Sequence, residues 1–332
     1  MSLADAIPEP ALPSAADVTD AARLLADVVV HTPLLHAPLL ARGGGRVFLK
    51  CETFQHTGSF KFRGAYNCLA RIPANRRAGG VVAYSSGNHA QGVAAAAKML
   101  GLPAVIVMPR DAPALKRERT AAHGAELVLY DRDHESREEI AARIAGERSA
   151  TLVPPYDHPH VIAGQGTVGM EICEQLAELS LASDAVLVPA SGGGLLAGVS
   201  LAVKDRFPAA RMVAVEPAGF DDHARSFASG RRERNARLSG SICDALLAPA
   251  PGELTFEITR KLVKDAVAVS DDEVRAAIGF AFRELKLVLE PGGAVALAAL
   301  LADKIAPDGK NVVLVLSGGN ADPASFGTAI GA

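Results

Sequence analysis

Three short segments concentrate the residues that could do chemistry: Thr57-Gly58-Ser59-Phe60-Lys61-Phe62-Arg63-Gly64, Ser85-Ser86-Gly87-Asn88-His89 and Ser191-Gly192-Gly193-Gly194. In the first, Lys61 falls in the opening turn of an expected helix capped by Ser59. The positive end of the helix dipole opposes an ammonium there and favours a neutral, nucleophilic amine suited to Schiff-base chemistry. An ordinary surface lysine would use the same residues. In the second, two hydroxyls, an amide and the free N–H groups of a helix start converge, which suits a carboxylate such as an amino acid presents, or simply caps the helix. In the third, glycines let the backbone approach a ligand and direct N–H groups at an anion such as phosphate; a tight strand-to-helix turn would also use them. No Gly-Lys-Ser/Thr follows, and Gly192, Gly194 and Gly198 miss the G-x-G-x-x-G spacing by one residue, which disfavours ATP and dinucleotides.

The elements that must hold these segments are short apolar runs at 47–50, 80–85, 104–108, 126–130, 185–189, 212–216, 266–269 and 312–316. Most are followed by a turn signal and an Ala-rich stretch of helical periodicity, the pattern of an α/β fold whose strands are covered on both faces. The second and third segments follow strands and open helices, where open α/β sheets place their ligands. One of these helices is expected to run to Leu100 and stop at Gly101, the other to run through Lys204. The basic stretch 231–237 has no apolar face and reads as a solvated loop.

Composition narrows the classes. A chain of 332 residues with 49% hydrophobic content can bury substantial cores, and 34 basic against 37 acidic residues, scattered, leave no stripe for a nucleic-acid backbone. Four distant cysteines without a C-x-x-C pair point to a reducing cytoplasm rather than to disulfides or zinc. Residues 1–13 are acidic and broken by prolines, and no stretch reaches the roughly 20 apolar residues of a membrane span, so neither export nor insertion is expected.

The stretch Cys51-Glu52-Thr53-Phe54-Gln55-His56-Thr57-Gly58-Ser59-Phe60-Lys61-Phe62-Arg63-Gly64-Ala65 closely resembles the cofactor-lysine segment of the serine/threonine dehydratases and serine racemases. These are pyridoxal phosphate (PLP) enzymes of the tryptophan synthase β type, fold type II. Ser85 to His89, 161–167, Ser191 to Gly194, Glu216-Pro217, Glu290-Pro291 and Ser317-Gly318-Gly319-Asn320 match in the same order, so the resemblance spans about 31–322. It implies two open α/β domains with the cofactor between them, a larger one from 1–75 and 155–332 and a smaller one inserted at 76–154. It also implies a homodimer.

The resemblance assigns roles residue by residue. Lys61 would carry PLP and remove the Cα proton, Phe60 would pack against the ring, and Ser191, Gly192, Gly193 and Gly194 would bind the phosphate. Asn88 would contact the phenolic oxygen and Ser317 the pyridine nitrogen, where a neutral hydroxyl gives little support to a protonated ring and so favours prompt loss of a β-leaving group. Ser85, Ser86, Gly87, Asn88 and His89 would line the substrate carboxylate site. Glu216, Asp222 and the Phe220 carbonyl resemble the segment that binds Mg²⁺, or Ca²⁺ or Mn²⁺, in several relatives.

The implied reaction removes water from a small 3-hydroxy amino acid, serine or threonine, and gives a 2-oxo acid and ammonia. Dehydration of 3-hydroxyaspartate to oxaloacetate, serine racemisation with Ser86 protonating the opposite face of Cα, and a non-catalytic amino-acid-binding protein are the alternatives. Ser241-Ile242-Cys243-Asp244-Ala245 departs from the family's Thr-Ile-Ala-Asp-Gly, which puts a methyl at Ala245 near the expected substrate pocket. His56 is read as a bystander rather than a reader of an acidic side chain. Little chain follows Ser317, so a C-terminal regulatory domain and feedback by isoleucine are not expected.

Overall fold

A computed structural model of the chain describes residues 11–112 and 114–331. The reading of 1–13 therefore lies almost wholly outside the described residues. In chain order the strands are β1 (Leu34–His36), β2 (Arg46–Cys51), β3 (Val81–Tyr84), β4 (Ala104–Pro109), β5 (Glu126–Tyr130), β6 (Thr151–Leu152), β7 (Ala185–Pro189), β8 (Arg211–Pro217), β9 (Asp265–Val269) and β10 (Asn311–Leu316). They form a six-stranded sheet in the order β1-β2-β10-β7-β8-β9 and a four-stranded sheet in the order β5-β4-β3-β6. Every pairing is parallel except β1 with β2.

All eight expected strands are present. Leu187, Val188, Val213, Val215, Val313 and Leu314 are fully buried, as parallel strands sandwiched between helices must be. β1 and β6, of three and two residues, are too short to show a period of two and were not foreseen.

Small residues set how closely the helices pack. The helix Asn88–Leu100 carries Ala94 to Ala97 and lies against the helix Lys61–Ala70; a methyl on Gly92 would come within 3.2 Å of the Lys61 carbonyl carbon. Gly101 ends it in the left-handed conformation expected of that residue. It begins at Asn88, not at Ser85, so the two serines stand in the turn rather than in the helix.

A buried ion network fixes the lysine-bearing helix from below. Arg63 donates to both oxygens of Glu52, at 2.8 and 2.9 Å, and to both of Glu171, at 2.5 and 2.9 Å, while Lys50 Nζ lies 2.6 Å from Glu171 Oε2. Two cations balance two carboxylates. Burial works against the Arg63 charge, but Glu52 and Glu171 more than offset this and hold its pKa up. The network ties β2, the helix Lys61–Ala70 and the helix Pro159–Glu178 together beneath the site.

Candidate active site

The three segments and Ser317 follow the C-terminal ends of β2, β3, β7 and β10 and face one cavity between the two sheets. Phe60, Lys61, Ser85, Ser86, Gly87, Asn88, His89, Ser191, Gly192, Gly193, Gly194 and Ser317 all line it. Glu216 and Asp222 do not; they lie behind the Ser191 turn, joined to it through His223.

Lys61 is the first residue of its helix, but Ser59 is not its cap. Phe60 occupies that position without a side-chain bond, and the buried Ser59 hydroxyl has no partner among the described residues. The Ser59 backbone instead bridges to Gly318. Phe60 N donates to Ser317 O at 3.2 Å, Gly319 N to Gly58 O at 2.9 Å and Asn320 Nδ2 to Thr57 O at 2.7 Å. The lysine loop and the Ser317 loop are thereby one piece. That fastening holds Thr57, a β-branched residue, at φ 58° in the left-handed region.

The Lys61 side chain is half-buried on the cavity wall, and its amine donates to the Pro155 carbonyl at 2.7 Å. Burial pulls its pKa down to about 8, against the opposing charge of Glu290. Glu290, also on the cavity wall, accepts from Asn88 Nδ2 at 2.6 Å, and burial pushes its carboxyl up to about 7. Asn88 Oδ1 accepts from Asn320 at 2.8 Å, so the amide of Asn88 is oriented from both sides.

His89 Nε2 lies 3.0 Å from the Val153 carbonyl and must carry the proton there. Burial and the nearby Lys61 hold the ring neutral, with its pKa near 3, and leave Nδ1 buried without a partner. A bare ring nitrogen accepts rather than donates, so the donors this turn can offer an anion are the serine hydroxyls and the N–H groups rather than His89 Nδ1.

Glu216 is fully buried and its two oxygens accept from the N–H groups of His223, at 2.8 Å, and Ala224, at 3.0 Å. Asp222 Oδ1 accepts from Asn235 at 2.6 Å, and its Oδ2 is buried with no partner among the described residues. Burial, joined by repulsion from Asp222, pushes Glu216 well up; at Asp222 burial, with a smaller push from Asp221, outweighs the bonds and raises the carboxyl to about 7. Neither carboxylate is in an ion pair among the described residues, and no group of three or more His, Cys, Asp or Glu side chains stands there as a ready metal cluster. Asn235 corrects the reading of 231–237 as solvated throughout, since it is buried against Asp222.

Sequence reasoning missed several cavity residues. Lys116, Arg137 and Tyr156 line it, Arg137 lying over the Tyr84 ring at 5.4 Å and Lys116 pairing with Asp244 at 2.6 Å. Arg137 and Lys116 stand in charged helical stretches that read as solvent-facing, and nothing in their spacing signals a pocket. Ala245 lies on the wall, as expected of that departure from the family pattern. His56 lies outside the cavity, bonded to Val28 O at 2.9 Å, a bystander.

Comparison with known proteins agrees with this geometry. The family described as "Pyridoxal-phosphate dependent enzyme" matches residues 25–318. The L-threo-3-hydroxyaspartate ammonia-lyase of Saccharomyces cerevisiae is 42% identical over 96% of this chain and 97% of its own. The L-threonine ammonia-lyase of Thermotoga maritima is 43% identical over 92% of this chain and 75% of its own. Among solved structures, maize serine racemase superposes with a TM-score of 0.89 at 37% identity, covering 96% of this chain and 97% of that one. With Lys61 and the glycine turn on one cavity wall, and with a family match over nearly the whole chain, one conclusion follows: this chain belongs to the pyridoxal-phosphate-dependent enzymes, with the fold type II architecture.

Proposed function

We propose that the chain is an ammonia-lyase that eliminates the 3-hydroxyl of a small 3-hydroxy amino acid, giving a 2-oxo acid and ammonia. The observation that carries this reading is the Lys61 amine, lowered to about 8, sharing the wall of a single cavity with the Ser191–Gly194 turn and the Ser85–His89 turn. PLP, when bound, supplies the carbonyl that lysine and substrate amines attach to and the electron sink that acidifies the Cα–H bond. Lys61 carries the cofactor and, with an amine part-neutral near neutral pH, takes the Cα proton. Gly192, Gly193 and Gly194, with Ser191, hold the phosphate. Phe60 packs on the ring, Asn88 offers its remaining N–H to the phenolic oxygen, and Ser317 places a neutral hydroxyl at the ring nitrogen. Ser85, Ser86 and the N–H groups from Gly87 onward hold the carboxylate.

A second reading concerns the substrate, and Arg137 favours it. Besides Lys61 the cavity wall carries Lys116, already paired with Asp244, and Arg137, a guanidinium suited to the second carboxylate of a 3-hydroxyaspartate. The deciding assay gives the purified enzyme with PLP and Mg²⁺ L-serine, L-threonine and the 3-hydroxyaspartate isomers, and follows pyruvate, 2-oxobutyrate, oxaloacetate and D-serine. Oxo acid from serine or threonine supports the first reading, oxaloacetate alone supports the second, and no oxo acid at all with D-serine formed would overturn both in favour of a racemase.

We also propose that Glu216, Asp222 and the Phe220 carbonyl hold Mg²⁺ or a similar hard cation. The unpartnered Asp222 oxygen and two buried carboxylates without a cation fit such an ion. It would neutralise the pair and order the turn beside the cradle. The two sheets support a division into domains 1–75 with 155–332 and 76–154, the four-stranded one falling within 76–154. Exposed Phe54 and Val288, on segments that flank Gly319, favour a homodimer, and four unpaired cysteines favour a reducing cytoplasm.

A further inference from the structure

A phosphate cradle needs more than N–H groups in front. The carbonyl oxygens of the same loop repel an anion if they turn toward it, so something must hold them away. Ser191 and Gly192 each have such a holder. His223 Nε2 lies 2.8 Å from the Ser191 carbonyl, and Thr255 Oγ1 donates to the Gly192 carbonyl at 2.6 Å, joined there by the Gly252 N–H at 3.1 Å. Both side chains are fully buried. Among the described residues the N–H groups of Gly192, Gly193 and Gly194 donate to no protein acceptor, so they remain available to the cavity.

The contact is close enough to dictate the loop's composition. Gly193 sits at φ 91°, and a methyl on it would come within 2.9 Å of both His223 Cε1 and Thr255 Oγ1. A ring nitrogen facing a carbonyl must carry a proton, so Nε2 is the donor here. His223 Nδ1 is buried without a partner among the described residues. A merely space-filling residue would not carry that cost, whereas a donor aimed at a loop carbonyl explains it. The ring is itself held in place, because the His223 N–H donates to the buried Glu216 at 2.8 Å.

We propose that His223, with Thr255, is a positioning residue for the cofactor phosphate: from behind the loop it turns the Ser191 carbonyl away from the anion, so that the glycine N–H groups face it. This rests on the reading of Ser191 to Gly194 as the phosphate site. The two ideas are separable by comparing PLP with pyridoxal, which has the ring and carbonyl but no phosphate.

The test equilibrates the full chain, freed of cofactor, with PLP or with pyridoxal and follows binding by visible absorbance. The wild-type protein should bind PLP far more tightly than pyridoxal. In His223→Leu the PLP affinity should fall about tenfold and the pyridoxal affinity by less than about twofold, the scale of one lost hydrogen bond. His223→Gln, which keeps an N–H in reach of the carbonyl, should recover most of the loss. Thr255→Val, nearly the same shape without the hydroxyl, carries the same prediction and serves where His223→Leu fails to fold. If PLP and pyridoxal affinities fall together, or neither changes, the positioning role is overturned while the phosphate site stands. If the wild-type protein does not discriminate between the two ligands, the phosphate site fails and this proposal falls with it.

Discussion

Lys50, fully buried, and Lys61, half-buried on the cavity wall, stand eleven positions apart, yet their surroundings differ completely. Lys50 Nζ contacts the Thr32 carbonyl at 2.6 Å, Glu171 at 2.6 Å and Gln175 at 2.9 Å, inside a network whose charges cancel. Lys61 Nζ has one protein acceptor, the Pro155 carbonyl. Burial lowers both amines; at Lys50 two carboxylates, Glu171 and Glu52, work against it, and Glu171 also bonds the amine, whereas at Lys61 only the charge of Glu290 does. The same contrast divides the acids. Glu171 is held below the usual range because Arg63 and Lys50 outweigh its burial, whereas Glu290, Glu216 and Asp222 are pushed up. Buried charge that is compensated belongs to the scaffold, and buried charge left uncompensated marks where a ligand or a proton is to be handled.

The largest expected effect breaks the reactive side of that contrast. Lys61→Ala should lower turnover by at least about 10³-fold and abolish the visible absorbance of lysine-bound PLP. Because an amine with a single protein acceptor among the described residues is removed, the melting temperature of the cofactor-free protein should not fall. A variant that keeps its absorbance would place the cofactor elsewhere.

The scaffold side should respond in the opposite way. Arg63→Met leaves Glu52 and Glu171 buried without their main partner and should cost about 3–5 kcal/mol in urea unfolding. Arg143→Met removes an arginine paired with Glu147 on an open helix face, where both side chains are more than half exposed, and should cost under about 0.5 kcal/mol. Equal costs would mean that the buried network contributes no more than a surface pair, and the distinction between compensated and uncompensated charge would lose its energetic content.

The sequence carried each side of this comparison unequally. Lys61 stood out because a long run of specific residue types surrounds it, and the β7 and β10 strands stood out as apolar runs, since buried parallel strands leave no alternation to misread. Lys50, Glu52 and Glu171 gave no signal as a network, because ion pairs between residues 121 apart exist only once β2 and the helix Pro159–Glu178 are packed. Arg137 and Lys116 were hidden for the same reason, and so was His223, whose partner is a backbone oxygen 32 residues away. Ser59 shows the reverse error. Its type and place fit a helix cap, but the loop is fastened to Gly318 and the hydroxyl points elsewhere, a tertiary constraint that overrides a local preference.

Glu290 sharpens the comparison at its finest point, since it is an uncompensated acid that keeps a structural bond. With its carboxyl raised from 4.5 to about 7, the folded protein holds a proton that the unfolded chain releases. Stability from this group is therefore full below about pH 4.5 and is lost as pH rises through 7. Glu290→Gln has no proton to lose, and its amide oxygen can still accept from Asn88 Nδ2. The variant should match the wild-type protein near pH 4.5, gain on it as pH rises, and level off above pH 7 with an advantage on the order of 1–3 kcal/mol. Melting temperatures of the two proteins across pH 4.5 to 9 would display this divergence. A gap that is constant with pH would mean that Glu290 is ionised throughout, compensated by Lys61 after all, and the two lysines would then differ in access to the cavity rather than in charge.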